Sequence, residues 1–168
     1  MKKKSIAAIA SLLLLFSCDQ YPKDPEKTLE KVKNNVLLVG YAENPPWVIE
    51  RAEDTTHSVD GIEVQLIEEF ASRQNASIQW IRNPENELFR SLIDRKLHIV
   101  IAGITADTPW KKEKIGITRS FFSTSDKKHV MAIQEGENAF LVQLEKFLLE
   151  KENKIRELVK YYENNPSL

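Results

Sequence analysis

The sequence predicts an α/β fold, a mostly parallel sheet flanked by helices, and three observations predict it. Two short continuous apolar runs, Val36-Leu37-Leu38-Val39-Gly40 and His98-Ile99-Val100-Ile101-Ala102-Gly103, each close on a glycine, as strands buried on both faces of a parallel sheet do. Two stretches between them carry apolar residues at helical spacing, Ile62, Leu66, Ile67, Phe70 and Ala71 in the first and Leu88, Phe89, Leu92 and Ile93 in the second. Ser77-Ile78-Gln79-Trp80-Ile81 alternates like a strand with one covered face, and the resulting order of strand, helix, strand, helix, strand implies right-handed crossovers.

Taken from the N-terminus, the chain of 168 residues opens on Met1-Lys2-Lys3-Lys4 and an uncharged run from Ser5 to Ser17. A membrane-spanning helix needs about 20 apolar residues, whereas the core of a signal peptide needs only about 7–15 behind a positive start, so residues 1–17 read as an export signal. The run ends at Cys18, the only cysteine of the chain, which therefore has no internal disulfide partner. Leu15-Phe16-Ser17-Cys18 resembles a bacterial lipobox, with Phe16 where a small residue is usual. The resemblance implies lipidation at Cys18, several acyl chains holding the chain to a membrane at about 0.8 kcal/mol per buried CH₂, and a location at the cell envelope facing the periplasm or exterior.

Residues 18–35 contain Pro22 and Pro25 and then a charged segment, Glu26 to Lys33, with little apolar face, which predicts a tether ending in a short helix. The first strand follows at Val36. Tyr41-Ala42-Glu43-Asn44-Pro45-Pro46-Trp47-Val48 is a proline-stiffened loop presenting two aromatics and a carboxylate, and the polar stretch Glu50 to Asp60 reads as an exposed hairpin or loop. Pro84 punctuates the exit from the strand at Ser77. Asp107 and Thr108 before Pro109 form a helix start, an N-cap followed by proline in the first helical turn. Asn138 to Tyr162 carries a helical stripe broken at Lys151 to Lys154, which allows two helices or one bent helix. In such a sheet ligands gather at the carboxyl ends of the strands, where the loops at Tyr41 to Trp47 and Ile104 to Trp110 both lie.

Composition narrows the function. With export residues removed, the chain has room for one ordinary domain. A net charge of −1 with interspersed signs lacks the basic footprint of nucleic-acid binding. His57, His98 and His129 are far apart and lack metal-ligand spacing, and no nucleophile elbow, phosphate loop or dinucleotide fingerprint is present, so neither catalytic residues, a metal nor a cofactor is expected. Glu43 and Glu63 could in principle form a carboxylate pair, but nothing in the sequence places them together and both read as surface residues.

Leu38-Val39-Gly40, Pro46-Trp47, Asp60-Gly61-Ile62-Glu63-Val64, His98 to Thr105 and Thr118-Arg119-Ser120-Phe121-Phe122 together resemble the family-3 extracellular solute-binding proteins of amino-acid-type ABC uptake systems, also seen at the N-terminus of membrane-bound lytic transglycosylases. The resemblance implies a periplasmic-binding-protein-like (type II) lobe, with residues 36–122 as its α/β core and residues 129–165 as the returning strand and C-terminal helix. In a full-length relative a second lobe stands between these two matches; here residues 123–128 alone join them. It implies a small solute such as an amino acid as ligand, an ABC permease or a complementary lobe as partner, and no enzymatic activity. It also implies ligand contacts from Tyr41 or Trp47, from the Gly103 and Thr105 turn, and from a family arginine whose position falls at Trp110, where no bidentate guanidinium is available. Lys111 and Lys112 are the point charges nearest to it. With one lobe supplying about half the contacts of a micromolar site, affinity is expected near millimolar. The alternative is a protein-interaction or degenerate single-lobe module, with an apolar face in place of a polar cleft.

Overall fold

The structure, a computed structural model, describes residues 24–51 and 59–165. The expectations for residues 1–17, for Cys18 and for the centre of the polar stretch between Glu50 and Asp60 lie outside the described residues. A five-stranded sheet forms the centre, in the order β4 (Ser77–Arg82), β1 (Val36–Tyr41), β5 (Ile99–Ile101), β9 (Ala132–Gln134) and β6 (Ile115–Ile117). β1 pairs in parallel with β4 on one side and with β5 on the other. β9 runs antiparallel to both β5 and β6, so four strands share one direction and the returning strand opposes them. Two small hairpins hang from this sheet, β2 (Ile49–Glu50) with β3 (Val59–Asp60) and β7 (Phe122–Ser123) with β8 (Lys128–His129).

Both faces of the sheet are covered, which is why β1 and β5 read as unbroken apolar runs. On one face lie α2 (Ile62–Arg73), α4 (Asn138–Glu150) and α5 (Glu152–Asn164), where Phe70 meets Phe140 and Phe147 edge-on at centroid distances of 5.7 and 5.5 Å. On the other, α3 (Glu85–Ile93) sets Leu88, Phe89 and Leu92 against Val100, Ala132 and Leu97. Lys151 is the single residue between α4 and α5, so the interrupted stripe resolves as two helices; its ammonium and that of Lys154 both pair with Glu69 of α2.

Of the segment expected to end in a short helix, residues 24–35 are described, and the helix is there. α1 (Thr28–Val32) is docked, with Thr28 and Val32 buried. The reason is Glu137, a buried carboxylate at the start of α4 that accepts the Glu26 and Thr28 amide protons at 2.8 and 2.7 Å, while the Asp24 carboxylate accepts from Ala139 N–H at 2.6 Å. Two helix starts thus cap one another across more than a hundred residues of sequence, a pairing that no local pattern reveals.

Candidate functional site

Strand order reverses around β1, because the chain passes from β1 to β4 on one side and then to β5 on the other, and the crevice at that reversal opens at the carboxyl ends of β1 and β5. The loop after β1 is a tight turn: Asn44 and Val48 exchange backbone hydrogen bonds at 2.9 and 3.1 Å. Its Pro46 and Trp47 carbonyls accept the Ile62 and Glu63 amides, each at 3.0 Å, and so serve the exposed N–H groups at the start of α2 where Gly61 offers no side-chain cap. The loop after β5 is fastened to the same place. Asn44 Nδ2 donates to the Ala102 carbonyl at 2.7 Å, and Gly103 N–H donates to Glu63 Oε2 at 2.9 Å.

Gly103 sits at the junction in a left-handed conformation, φ 62°. A Cβ there would stand 2.5 Å from Asn44 Nδ2 and 2.7 Å from Trp47 Cδ1, so both backbone conformation and space require glycine. Beyond it, Ile104 and Ala106 pair with the returning chain through Val130 and Lys128, and Thr105 bridges His129.

The sequence-derived candidates separate in this frame. Gly103 and Thr105 form the turn at the crevice, with Thr105 Oγ1 half-exposed and donating to Asp107 Oδ1 at 2.5 Å, a bond that holds the Asp107 carboxyl below its ordinary range. Trp47 is buried beneath the turn, stacked on His129 at 3.8 Å and flanked by Phe121 and Phe122. Tyr41 is buried against the edge of Trp80 in the core beneath α2. Trp110 lies on the opposite face of the sheet, stacked on Phe89 at 4.7 Å, its indole N–H donating to Glu85 Oε1 at 3.1 Å. The structure does not bring Tyr41, Thr105 and Trp110 together: the core takes Tyr41 to one face and α3 takes Trp110 to the other. Thr108 does cap the short 3₁₀ turn Pro109–Lys112. Lys111 curls back from that turn, its Nζ 3.4 Å from the Ala106 carbonyl, which puts an ammonium over the loop after β5.

Two residues at the site escape a reading of the sequence. Glu63, read as a surface carboxylate, is fully buried; burial pushes its carboxyl up to about 8, against an opposing pull from the Gly103 and Ala102 amides. Among the described residues its Oε1 has no hydrogen-bond partner. The available signal was its spacing, since Glu63 precedes Ile67 and Phe70 by four and seven positions on the buried stripe. His129, also buried, leaves Nδ1 without a partner, and burial holds its imidazole below the usual histidine range. Among the described residues no group of three His, Cys, Asp or Glu is placed to hold a metal.

Two further concavities flank the crevice. One, about 260 Å³, is lined by Ala42, Glu43, Glu50, Arg82, Asn83 and Pro84, with Glu50 and Arg82 ion-paired across it. The other, about 570 Å³, runs between β7 and the C-terminal helices, past Phe121, Phe122, Val142, Lys146 and Leu149.

Fold and sequence together define the class of domain, a periplasmic-binding-protein-like α/β lobe. The pattern of bacterial extracellular solute-binding proteins, family 3, matches residues 37–164, and the chain belongs to that family. Among solved structures it is similar to a single-residue mutant of the arginine-bound form of domain 1 from TmArgBP of T. maritima, at 23% identity and TM-score 0.62, covering 70% of this chain and 92% of that one. It is also similar to an ancestral amino acid-binding protein described as a precursor of cyclohexadienyl dehydratase, at 14% identity and TM-score 0.65, covering 82% and 98%. The substrate-binding protein of an amino acid ABC transporter follows the same fold at 11% identity and TM-score 0.65, covering 76% and 98%. No curated protein matches by sequence.

Proposed function

We propose that the chain is the extracytoplasmic binding component of a system that takes up or senses a small solute of amino-acid type, held to the envelope by lipid on Cys18, and that it binds this solute without transforming it. The observation that carries this reading is the Gly103 to Thr105 turn. It is fixed from below by Asn44, Trp47 and Glu63, and it presents backbone and a hydroxyl at the sheet's switch point. In this reading Gly103 and Thr105 contact the solute, the Lys111 ammonium supplies the charge that Trp110 does not, and Tyr41 and Trp47 act by packing beneath the site. In this reading residues 36–122 and 129–165 belong to one lobe, which the direct closure of β7 onto β8 through Thr124 to Lys127 supports. The TmArgBP structure lends support, since it is of the arginine-bound form of domain 1.

Calorimetric titration tests this, using the chain from residue 18 onward with Cys18→Ser to leave it unlipidated, against amino acids, small carboxylates and sugars. Saturable binding near millimolar or tighter, weakened at least tenfold by Thr105→Ala or Lys111→Ala, is the expected result. Silence across the panel from a folded monomer overturns it. One observation favours a second reading, a protein-interaction module: Val142 and Leu149 are 64% and 73% exposed beside the larger groove. That reading predicts an unchanged calorimetric baseline with every solute.

A further inference from the structure

We propose that Glu63 is a positioning residue of the solute crevice: its carboxyl, sealed under the loop after β5 with one oxygen on the Gly103 N–H and the other unpartnered, makes the geometry of the Gly103 to Thr105 turn depend on a single buried proton. The proposal rests on the solute-binding reading for its functional consequence, though not for the structural link itself. Glu63 stands in the first turn of α2, where the amide of its own residue is taken by the Trp47 carbonyl. Its side chain thereby joins both strand-end loops to one helix start.

Among the described residues, the surroundings offer a charge on Glu63 no counterion. Ahead of α2, Asp60 is engaged by Arg51, by the Gly61 amide and by Tyr162 of α5, whose hydroxyl burial holds at about 12 and so neutral. In the loop after β1, Glu43 is exposed and Asn44 is committed to Ala102. From the loop after β5, Asp107 faces outward onto Thr105, and Lys111 reaches the Ala106 carbonyl. On β8 and the turn before it, Lys127 and Lys128 are exposed, and His129 is buried with its imidazole shifted toward the neutral form. At the far end of α2, Lys151 and Lys154 belong to Glu69. Among the described residues, no ionised side chain contributes to the upward shift of Glu63 or opposes it.

Below about pH 8 the carboxyl is therefore neutral and the turn keeps the geometry described. Above that value a buried anion with an unpartnered oxygen must recruit water or shift the loop, because burying an uncompensated charge is costly. A solute carboxylate resting on the turn would also meet a like charge beneath it. Solute affinity is thus expected to fall as the pH rises through the Glu63 transition.

Two readouts separate this inference from the solute reading. In ¹⁵N-labelled protein without ligand, the Gly103 amide resonance is expected to titrate with a midpoint near 8 and to stay flat in Glu63→Gln, which mimics the neutral acid. With L-arginine as the calorimetric probe, wild-type affinity is expected to fall about tenfold more than that of Glu63→Gln between about pH 7 and pH 9. The comparison with the variant removes the titration of the probe's own amino group. A Gly103 amide unmoved across that range, or one that titrates equally in Glu63→Gln, overturns the proposal. A Gly103 amide that titrates in a protein silent toward every solute upholds the control of the turn by Glu63 and defeats the solute reading instead.

Discussion

A carboxyl with no cation in reach and one oxygen without a hydrogen bond is an expensive group to bury, and among the described residues Glu63 is one. What it secures is Gly103, whose surroundings make a sharp prediction. Gly103→Ala meets both a left-handed backbone, worth about 1–2 kcal/mol, and overpacking against Asn44 and the buried Trp47, worth about 1–3 more. Urea denaturation should show a loss of about 2–5 kcal/mol. Gly136→Ala is the control, since its φ is 83° but a Cβ there finds its nearest neighbour at 3.5 Å, so only the backbone penalty applies. Equal losses at the two positions would show that the space around Gly103 is not the constraint. At this scale the sequence was legible where a residue type has one structural use, as at Gly103 or at the Thr108 cap before Pro109. It was illegible where direction decides: nothing in the string tells that Trp110 turns onto Phe89 or that Tyr41 turns under α2. Glu63 sits between the two cases, since its polarity argued for the surface while its spacing argued for the core.

Among the elements, those that repeat a period over several turns were foreseen, and those held by distant partners were not. α2 and α3 carry their stripes in sequence, and β1 and β5 carry their burial as continuous apolar runs. β6 and the β7–β8 hairpin are two or three residues long, too short to display alternation, and exist because β9 and the loop after β5 supply partners. α1 is the clearest instance, five residues that no isolated peptide would hold as a helix, kept in place by the Glu137 carboxylate. Glu137→Ala leaves the Glu26 and Thr28 amides without acceptors, at about 1–3 kcal/mol for each unsatisfied buried group. Hydrogen exchange of amides from Glu26 to Val32 should accelerate markedly while those of β1 and β5 stay protected. Exchange that rises uniformly across the molecule would mean that α1 and the sheet open as one unit.

For the molecule as a whole, the dependence of stability on pH sums these local terms. A carboxyl raised from 4.5 to about 8 contributes stability that is fully present below about 4.5 and lost as pH rises toward 8, at up to about 1.4 kcal/mol per unit. His98 and His129, lowered by burial, act in the opposite sense below about 6.5. Asp60, held below the ordinary range mainly by hydrogen bonds from Gly61, Arg51 and Tyr162 against its own burial, loses its contribution on the acid side. Between about 6.5 and 8 Glu63 therefore acts unopposed by the histidines, and the melting temperature should decline there in the wild type and hold level in Glu63→Gln. A decline of equal slope in both proteins would assign the loss elsewhere. The parallel core with its crossovers was visible in the sequence because both depend on local periodicity, whereas the crevice needed the fold to bring residues 44, 63, 103 and 129 together.

The place of β9 has a consequence for how the chain is made. It lies between β5 and β6, yet it is synthesised after both. Until residues 129–134 leave the ribosome, a nascent chain holds β5 with a bare edge and β6 with no neighbour at all, the condition in which unpaired strands invite misassociation. The four-residue turn from Thr124 to Lys127 keeps that interval short. Any sequence inserted at this turn would lengthen it, and a passenger domain placed there would have to be completed before its host could close.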